Sequence, residues 1–160
     1  MNPDLLGQLI DTHASALELY ATQWTVSSAD VVQESFMALL RHPTLPENVS
    51  AWLYKVVRNK AITASRSENR RRNHEKKASR LRDWFTTKGN PELDGEVSAE
   101  VLNELPDEQR EIVIARIWGG LSFEQIAEVV ETSSSTAHRR YQTALNSLRE
   151  KLGVPWPTNS

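Results

Sequence analysis

Residues 105–152 read LPDEQREIVIARIWGGLSFEQIAEVVETSSSTAHRRYQTALNSLREKL, and three helices with two breaks account for the whole stretch. Pro106 and Asp107 open the first helix. Ile112, Val113, Ile117 and the stem of Arg116 give it an apolar face, and Gly119 and Gly120 close it. Ser122 caps the second helix, with Gln125 completing a capping box, and its inner face is Ile126, Ala127 and Val130. After a short turn at Glu131 and Thr132, Ser133 caps a long third helix. Its apolar stripe is Ala137, Tyr141, Ala144, Leu145, Leu148 and Leu152. At about 100° per residue the opposite face carries Ser135, His138, Arg139 and Gln142, with Arg140 at its flank.

Two short helices, a tight turn and a half-polar third helix make a helix-turn-helix, whose last helix lays its N-terminal half in the major groove. Ser133, Ser134 and Ser135, with Thr136 beside them, offer hydroxyls and open amides to phosphates at a helix N-terminus. Arg139 is the expected base reader, because a guanidinium bonds two acceptors of a guanine edge at once. Arg140, nearer the buried stripe, is expected to reach a phosphate. His138 donates to a base when neutral and adds a phosphate contact when charged. A plain three-helix bundle shares this periodicity, but the double glycine, the capped second helix and the short turn favour DNA.

The chain has 160 residues, of which 39% are hydrophobic, and no cysteine, so disulfides and thiolate metal sites are excluded. No apolar run approaches the roughly 20 residues that span a bilayer, and the N-terminus lacks a signal-peptide layout. Membrane insertion is not expected, and the cytoplasm is the expected location. The net charge of -2 hides an asymmetry: Lys55, Arg58, Lys60, Arg66, Arg70, Arg71, Arg72, Lys76, Lys77, Arg80 and Arg82 face only Glu68 and Glu75 in the same stretch. The set as a whole reads as a nucleic-acid surface.

Upstream, Leu5 to Tyr20 carries Leu6, Leu9, Ile10, Ala14 and Leu17 at helical spacing. Trp24 lies in a short connection. Ser27 with Asp30 reads as a second capping box, opening a helix to about Arg41 with Val32, Phe36, Leu39 and Leu40 inside. Asp30, Gln33, Glu34 and Met37 fall on its other faces. On these residues alone a solvated face is the better reading, although an acidic, partly apolar face also suits a partner helix. Residues 42–50, HPTLPENVS, form a rigid loop, and Ser50 is the expected cap of the next helix. That helix has Leu53, Val56, Val57, Ala61 and Ala64 inside. Trp52, Tyr54, Lys55, Arg58, Asn59 and Lys60 mix aromatic and basic groups in the way that single-stranded nucleic acid requires. Trp52 taken alone reads as core. Gly89, Asn90, Pro91 and Gly95 mark an interdomain linker, and the two prolines after Gly153 a loose tail.

The four histidines sit on different elements, and there is no phosphate loop and no nucleophile elbow, so neither an enzyme nor a metal or other cofactor is expected. The fold class is all-α: two helical domains joined by a linker, the C-terminal one a helix-turn-helix. The expected divisions are 1–82, a linker at 83–97, 98–153 and a tail at 154–160.

With both halves read, the chain resembles the extracytoplasmic-function (ECF) sigma factors, small two-domain bacterial transcription factors. Ala29 to Phe36 is similar to that family's polymerase-binding helix. Ala51-Trp52-Leu53-Tyr54 followed by Arg58-Asn59-Lys60-Ala61 is similar to its promoter-melting helix. Leu105-Pro106, Gln109-Arg110, Gly120-Leu121-Ser122 and Ile126-Ala127 are similar to its fourth domain.

The resemblance implies promoter recognition, DNA melting and transcription initiation. It implies core RNA polymerase, through its largest and second-largest subunits, and promoter DNA as partners, and it allows an anti-sigma factor. It assigns polymerase binding to Asp30, Gln33, Glu34 and Met37. Minus-ten contacts fall to Asn48, Trp52, Lys55, Arg58, Asn59, Lys60 and Arg66, with the 42–50 loop capturing a flipped base. Minus-thirty-five contacts fall to Ser133, Ser134, Ser135, Thr136, His138, Arg139, Arg140 and Gln142. Thr63 departs from the family's aspartate. Thr132, Ser134, Ser135, Ala137 and His138 depart from the usual recognition-helix residues, which implies an unusual promoter. A helix-turn-helix regulator that never touches polymerase, and a sigma-like decoy that binds polymerase without starting transcription, stand as the alternatives.

Overall fold

The computed structural model describes residues 1–68, 76–89 and 97–153. Arg70, Arg71 and Arg72 of the basic stretch, residues 90–96 of the expected linker and the tail at 154–160 lie outside the described residues. Among the described residues every regular element is helical. The all-α expectation is met, with the helix-turn-helix at the C-terminal end.

Four helices build the N-terminal half: α1 (Pro3–Thr22), α2 (Ser28–Arg41), α3 (Val49–Ser67) and α4 (Lys77–Lys88). Asn2 caps α1 by accepting from the Asp4 amide, and Pro3 fills a first-turn position where no donor is needed. α1 packs on α2, α3 and α4 through Leu17, Leu19 and Tyr20, none of which retains exposed surface. The C-terminal half comprises α5 (Ala99–Glu104), α6 (Asp107–Val113), a π-helical turn (Ile114–Trp118), α7 (Phe123–Val130) and α8 (Ser134–Leu152). α8 lays Ala137, Tyr141, Ala144, Leu145 and Leu148 against α6 and α7. The two halves do not stand apart. α3 packs on α7, α1 on the π turn and α4 on α5, so one apolar cluster runs through both.

Several local expectations shift. Ser27 occupies the N-cap of α2 but makes no capping bond, because its ψ of 36° departs from the extended cap conformation. α2 buries Val31 where Leu40 was expected, and Leu40 is 48% exposed. Asn48, not Ser50, caps α3, accepting from the Ala51 amide at 3.3 Å; Ser50 Oγ faces His13 Nε2 instead. Of the inner face expected for α3, Val56 and Ala64 are only half-buried, while Tyr54, assigned to the aromatic-basic mixture, is fully buried. Residues 83–88, read as linker, continue α4, and Trp84 anchors them by donating to the Ser15 carbonyl at 2.9 Å.

The end of α6 also differs. Gly119 N–H reaches back to the Ile114 carbonyl at 3.1 Å, and the wide turn brings Ile114, Ala115 and Trp118 inward in place of Ile117. Gly120, at φ +68°, reverses the chain into α7. In α7 the buried position is Val129, with Val130 half-covered. Arg110, counted with no face from periodicity, is 1% exposed; it donates to the Leu105 carbonyl at 2.7 Å and pairs with Asp107, fixing the α5–α6 corner.

Candidate nucleic-acid interface

The helix-turn-helix is built as its punctuation predicts. The Ser122 hydroxyl accepts from the Gln125 amide at 3.1 Å and Gln125 Oε1 accepts from the Ser122 amide at 2.8 Å. Glu131 takes a left-handed φ of 58°, which ends α7 and allows α8 to start three residues later. Ser133 caps α8 through the Thr136 amide at 3.1 Å, and its hydroxyl also meets those of Thr136 at 2.9 Å and Ser135 at 3.4 Å. The cap consumes the Ser133 oxygen. The first-turn amides of Ser134 and Ser135 stay directed outward, the arrangement that receives a phosphate.

On the outer face of α8, Ser135, His138 and Arg139 are exposed and Gln142 half-buried. The Arg139 side chain makes no ion pair among the described residues. Arg140 pairs with Glu108, Nε to Oε2 at 3.4 Å, on the flank. The His138 ring stands edge-on to Phe123, centroids 4.8 Å apart and planes at 80°. Arg116 lies over the same Phe123 ring at 4.6 Å while its Nη1 donates to the Leu121 carbonyl at 2.8 Å.

The residues expected at the minus-ten element lie differently. Lys55, Asn59 and Arg66 are exposed, Lys60 sits 3.9 Å from Glu34, and Trp52 is half-buried with its ring edge-on to His42. Arg58 and Asn48 are taken by the other half of the chain. Arg58 holds Glu111 with two bonds, Nε to Oε1 at 2.8 Å and Nη2 to Oε2 at 3.3 Å. Tyr20 donates its hydroxyl to the same Oε1 at 2.7 Å. The Arg58 guanidinium lies over the Trp24 ring, whose edge meets Tyr20.

Burial pushes the Arg58 guanidinium down, but the hydrogen bonds and charge of Glu111 outweigh it and hold it above its ordinary value. Burial, with Glu111 adding to it, holds the Tyr20 phenol well above the ordinary tyrosine range. Asn48 Oδ1 receives a bond from Gln125 Nε2 at 2.8 Å, alongside its capping bond.

Parts of the basic stretch are also consumed internally. Arg80 donates to the Thr22 and Gln23 carbonyls at the end of α1. Arg82 pairs with Glu100, and Lys77 is buried beside Asp107. Lys77 and Arg80 are thereby drawn into holding the helices together, whereas Arg82 stays exposed beside Glu100.

On α2, Asp30, Gln33, Glu34 and Met37 form one exposed face, with Leu40 and Leu45 exposed nearby. Sequence reading missed Glu111, Tyr20, Trp24 and Phe123. Glu111 left a faint signal, as the one acid between Gln109 and Phe123 in an otherwise apolar and basic run. Among the described residues no group of metal-ligating side chains forms, and no helix is long and apolar enough to cross a membrane.

Comparison with known proteins places both halves. Residues 9–71 match the family described as Sigma-70 region 2, and residues 99–148 match Sigma-70, region 4. The ECF RNA polymerase sigma factor SigL of Mycobacterium tuberculosis is 30% identical over 94% of this chain and 92% of its own length. The RNA polymerase sigma factor SigV of Bacillus subtilis is 31% identical over 77% of this chain and 74% of its own.

Two solved structures share the fold. RpoE in complex with the anti-sigma factor NepR from Bartonella quintana has a TM-score of 0.65 at 24% identity, covering 97% of this chain and all of that one. CnrH in complex with the cytosolic domain of CnrY has a TM-score of 0.61 at 23% identity, covering 95% and 90%. With region 2 carried on α1–α3 and region 4 on α5–α8, the chain belongs to the extracytoplasmic-function group of RNA polymerase sigma factors, which act in transcription initiation.

Proposed function

We propose that this sigma factor divides its work among three surfaces. α8 reads the minus-thirty-five element through Ser135, His138, Arg139 and Gln142, with Ser134, Thr136 and Arg140 serving phosphates and Ser133, its hydroxyl spent on the cap, holding the helix N-terminus that receives them. Asn48, Trp52, Lys55, Arg58, Asn59, Lys60 and Arg66, on α3 and the turn before it, serve the melted minus-ten strand. Asp30, Gln33, Glu34 and Met37 on α2 meet a basic helix of the polymerase.

One observation carries the reading. α8 holds a capped, exposed N-terminal half on a helix whose other face is locked into α6 and α7. The polymerase face is supported by carboxylates beside Met37 and Leu40, 46% and 48% exposed, an acidic-apolar mixture that suits a partner helix. The Glu34–Lys60 pair at 3.9 Å does little to hold that face closed. Residues up to about α4 form the polymerase and minus-ten unit, and α5–α8 the minus-thirty-five unit. The chain works beside its polymerase in the cytoplasm, catalyses nothing itself, and is a fit subject for an anti-sigma factor.

Run-off transcription with purified core polymerase tests the whole. The wild-type chain yields transcripts from a promoter that it selects out of a fragment library. Charge reversal in Asp30→Lys with Glu34→Lys weakens core binding. A chain that binds core and yields no transcript on any fragment would refute promoter initiation.

A further inference from the structure

Two residues are fit to cap α3, and only one does so. Asn48 and Ser50 both rank among the preferred N-cap side chains, and they stand two positions apart. Asn48 holds the place, yet weakly: its bond from the Ala51 amide is 3.3 Å long and its ψ is 85°. The bonded caps of α1, α5, α7 and α8 stand at ψ values from 129° to 168°. Cap geometry alone therefore does not decide the choice. What sets Ser50 apart is its partner. Ser50 Oγ and His13 Nε2 lie 3.2 Å apart, so the hydroxyl is engaged from α1 rather than by an amide of α3.

His13 is firmly placed to do this. It lies one turn before Leu17 and two before Tyr20, both fully buried, and Tyr20 meets Tyr54 of α3 with ring centroids 4.9 Å apart. Ser50 in turn lies one turn before Tyr54, so the two contacts are rungs between the same pair of helices.

We infer that His13 is the positioning residue of the minus-ten loop: by engaging Ser50 it leaves the α3 cap to Asn48, and so fixes where residues 42–50 end and the helix begins. The inference rests on that loop serving the melted minus-ten strand, as proposed above. With the Ser50 hydroxyl released, Ser50 takes the cap and the helix starts two residues later. The loop lengthens by the same amount, and Asn48 leaves its place by about 3 Å at 1.5 Å per residue. A shift of that size exceeds the tolerance of a hydrogen bond and carries Asn48 away from the strand it serves. Gln125 of α7 also bonds the Asn48 oxygen, at 2.8 Å, but the His13–Ser50 contact is made within the N-terminal half alone. His13 thus acts on the cap independently of α7.

The test takes two readouts from the full chain. Amide hydrogen exchange followed by NMR reads the cap directly. The Ala51 amide donates to Asn48 Oδ1 and the Trp52 amide to the Asn48 carbonyl at 3.0 Å, so their protection reports Asn48 as the cap. Run-off transcription with core polymerase, on a panel of single-base minus-ten variants, reads the consequence. His13→Leu fills the space and bonds nothing. It is expected to lower the protection of both amides, and the preference at one minus-ten position, about fivefold, the scale of one N-cap bond. His13→Gln, whose amide reaches toward Ser50, keeps both. Adding Ser50→Ala to His13→Leu removes the rival cap and restores both, which a mere loss of packing would not allow. Melting curves show that each variant is folded.

Unchanged protection in His13→Leu, or a double variant no better than His13→Leu alone, would overturn the inference. Protection lost with every minus-ten preference unmoved would instead sink the loop's role on the strand, the reading beneath it, and leave the choice of cap standing.

Discussion

α3 and α8 are both 19 residues long, both capped by a polar side chain, and both expected to face DNA. α8 presents its N-terminal half to solvent, whereas α3 lies under α7, with Gly119 against its Tyr54. The difference follows from how many sides of each helix are apolar. α8 keeps its buried residues on a single stripe, so one layer of partners satisfies it. α3 buries Leu53, Val57 and Ala61 toward its own domain and adds Tyr54, fully buried where Gly119 approaches its hydroxyl. A helix covered on two sides holds some of its cations in the second interface. Arg58 shows that a basic residue in a nucleic-acid motif meets solvent only if no carboxylate from elsewhere in the chain reaches it first.

The comparison breaks most readily in alkali. Tyr20 and Tyr54 lie beneath the covered side of α3, and burial raises both phenols above the ordinary tyrosine value, Tyr20 with help from Glu111. The folded state therefore favours the neutral phenol. Its contribution is intact below the unfolded value of about 10 and is lost as pH rises above it. Each phenol removes about 1.4 kcal/mol per pH unit there, so the pair gives a slope of about 3 kcal/mol per unit. Urea unfolding at several values between about pH 9 and about pH 12 measures it. Tyr54→Phe is expected to halve that slope at little cost near neutrality, because the Tyr54 hydroxyl is buried with no hydrogen-bond partner among the described residues. Tyr141 of α8 is also raised by burial, and Arg116 and Arg149 partly offset this. A variant as steep as the wild type would place the titration elsewhere.

The next largest effect comes from the contact itself. A Cβ on Gly119 would fall on the Tyr54 hydroxyl and on the Ala115 carbonyl, and the carbonyl, as backbone, gives way poorly. Gly119→Ala is expected to cost about 1–3 kcal/mol in urea unfolding, the range of an overpacked core. A neutral result would mean that the π turn slides freely against α3.

What was legible in the sequence follows the same division. Local signals carried the helix-turn-helix almost whole: the Ser122–Gln125 box, the Ser133 cap, the glycine reversal and the α8 stripe all act within a few residues. The same logic misplaced the α3 cap, because Asn48 and Ser50 are both capping residues and only packing chooses between them. It gave residues 83–88 to the linker because a tryptophan bond to Ser15, 69 positions away, leaves no local mark. Arg58 with Glu111, 53 positions apart, was illegible for the same reason. Periodicity also failed at Ile117, since a π turn changes the period itself.

On the exposed side of the comparison, two neighbouring arginines should behave differently. Arg139 stands in solvent without an ion pair among the described residues, so Arg139→Ala is expected to cost about 1–3 kcal/mol at one minus-thirty-five position and relax preference there. Arg140 leans on Glu108 at 3.4 Å, and the exposed pair is easily exchanged for a phosphate. Arg140→Ala is expected to weaken all sequences alike and reduce the salt slope by about one. Binding to a panel of single-base promoter variants at two salt concentrations separates them. Equal losses across the panel for Arg139→Ala would remove it as a base reader.

The smallest effect tests whether α8 is as independent as its exposure suggests. His138 is exposed, yet its ring meets Phe123 of α7 edge-on at 4.8 Å, and Arg116 covers that ring at 4.6 Å while tied to the Leu121 carbonyl. If His138 reads a base as proposed, Phe123 is its positioning residue, holding the imidazole in one orientation before DNA arrives. An aromatic contact of this kind is worth about 0.5–1.5 kcal/mol beyond the area it covers. Phe123→Leu keeps the apolar volume and removes the ring. It should weaken binding by about two- to tenfold only at the base that His138 contacts, a factor set by that energy. A double-mutant cycle with His138→Ala on the same promoter panel decides the matter. If Phe123 works through His138, the two losses fail to add at that one base and the double variant is no worse there than His138→Ala. Phe123→Tyr, which restores a ring, should recover most of the preference. Losses that add at every position, or a Phe123→Leu variant that weakens the whole panel evenly, would make Phe123 a packing residue of α7 and leave α8 reading on its own.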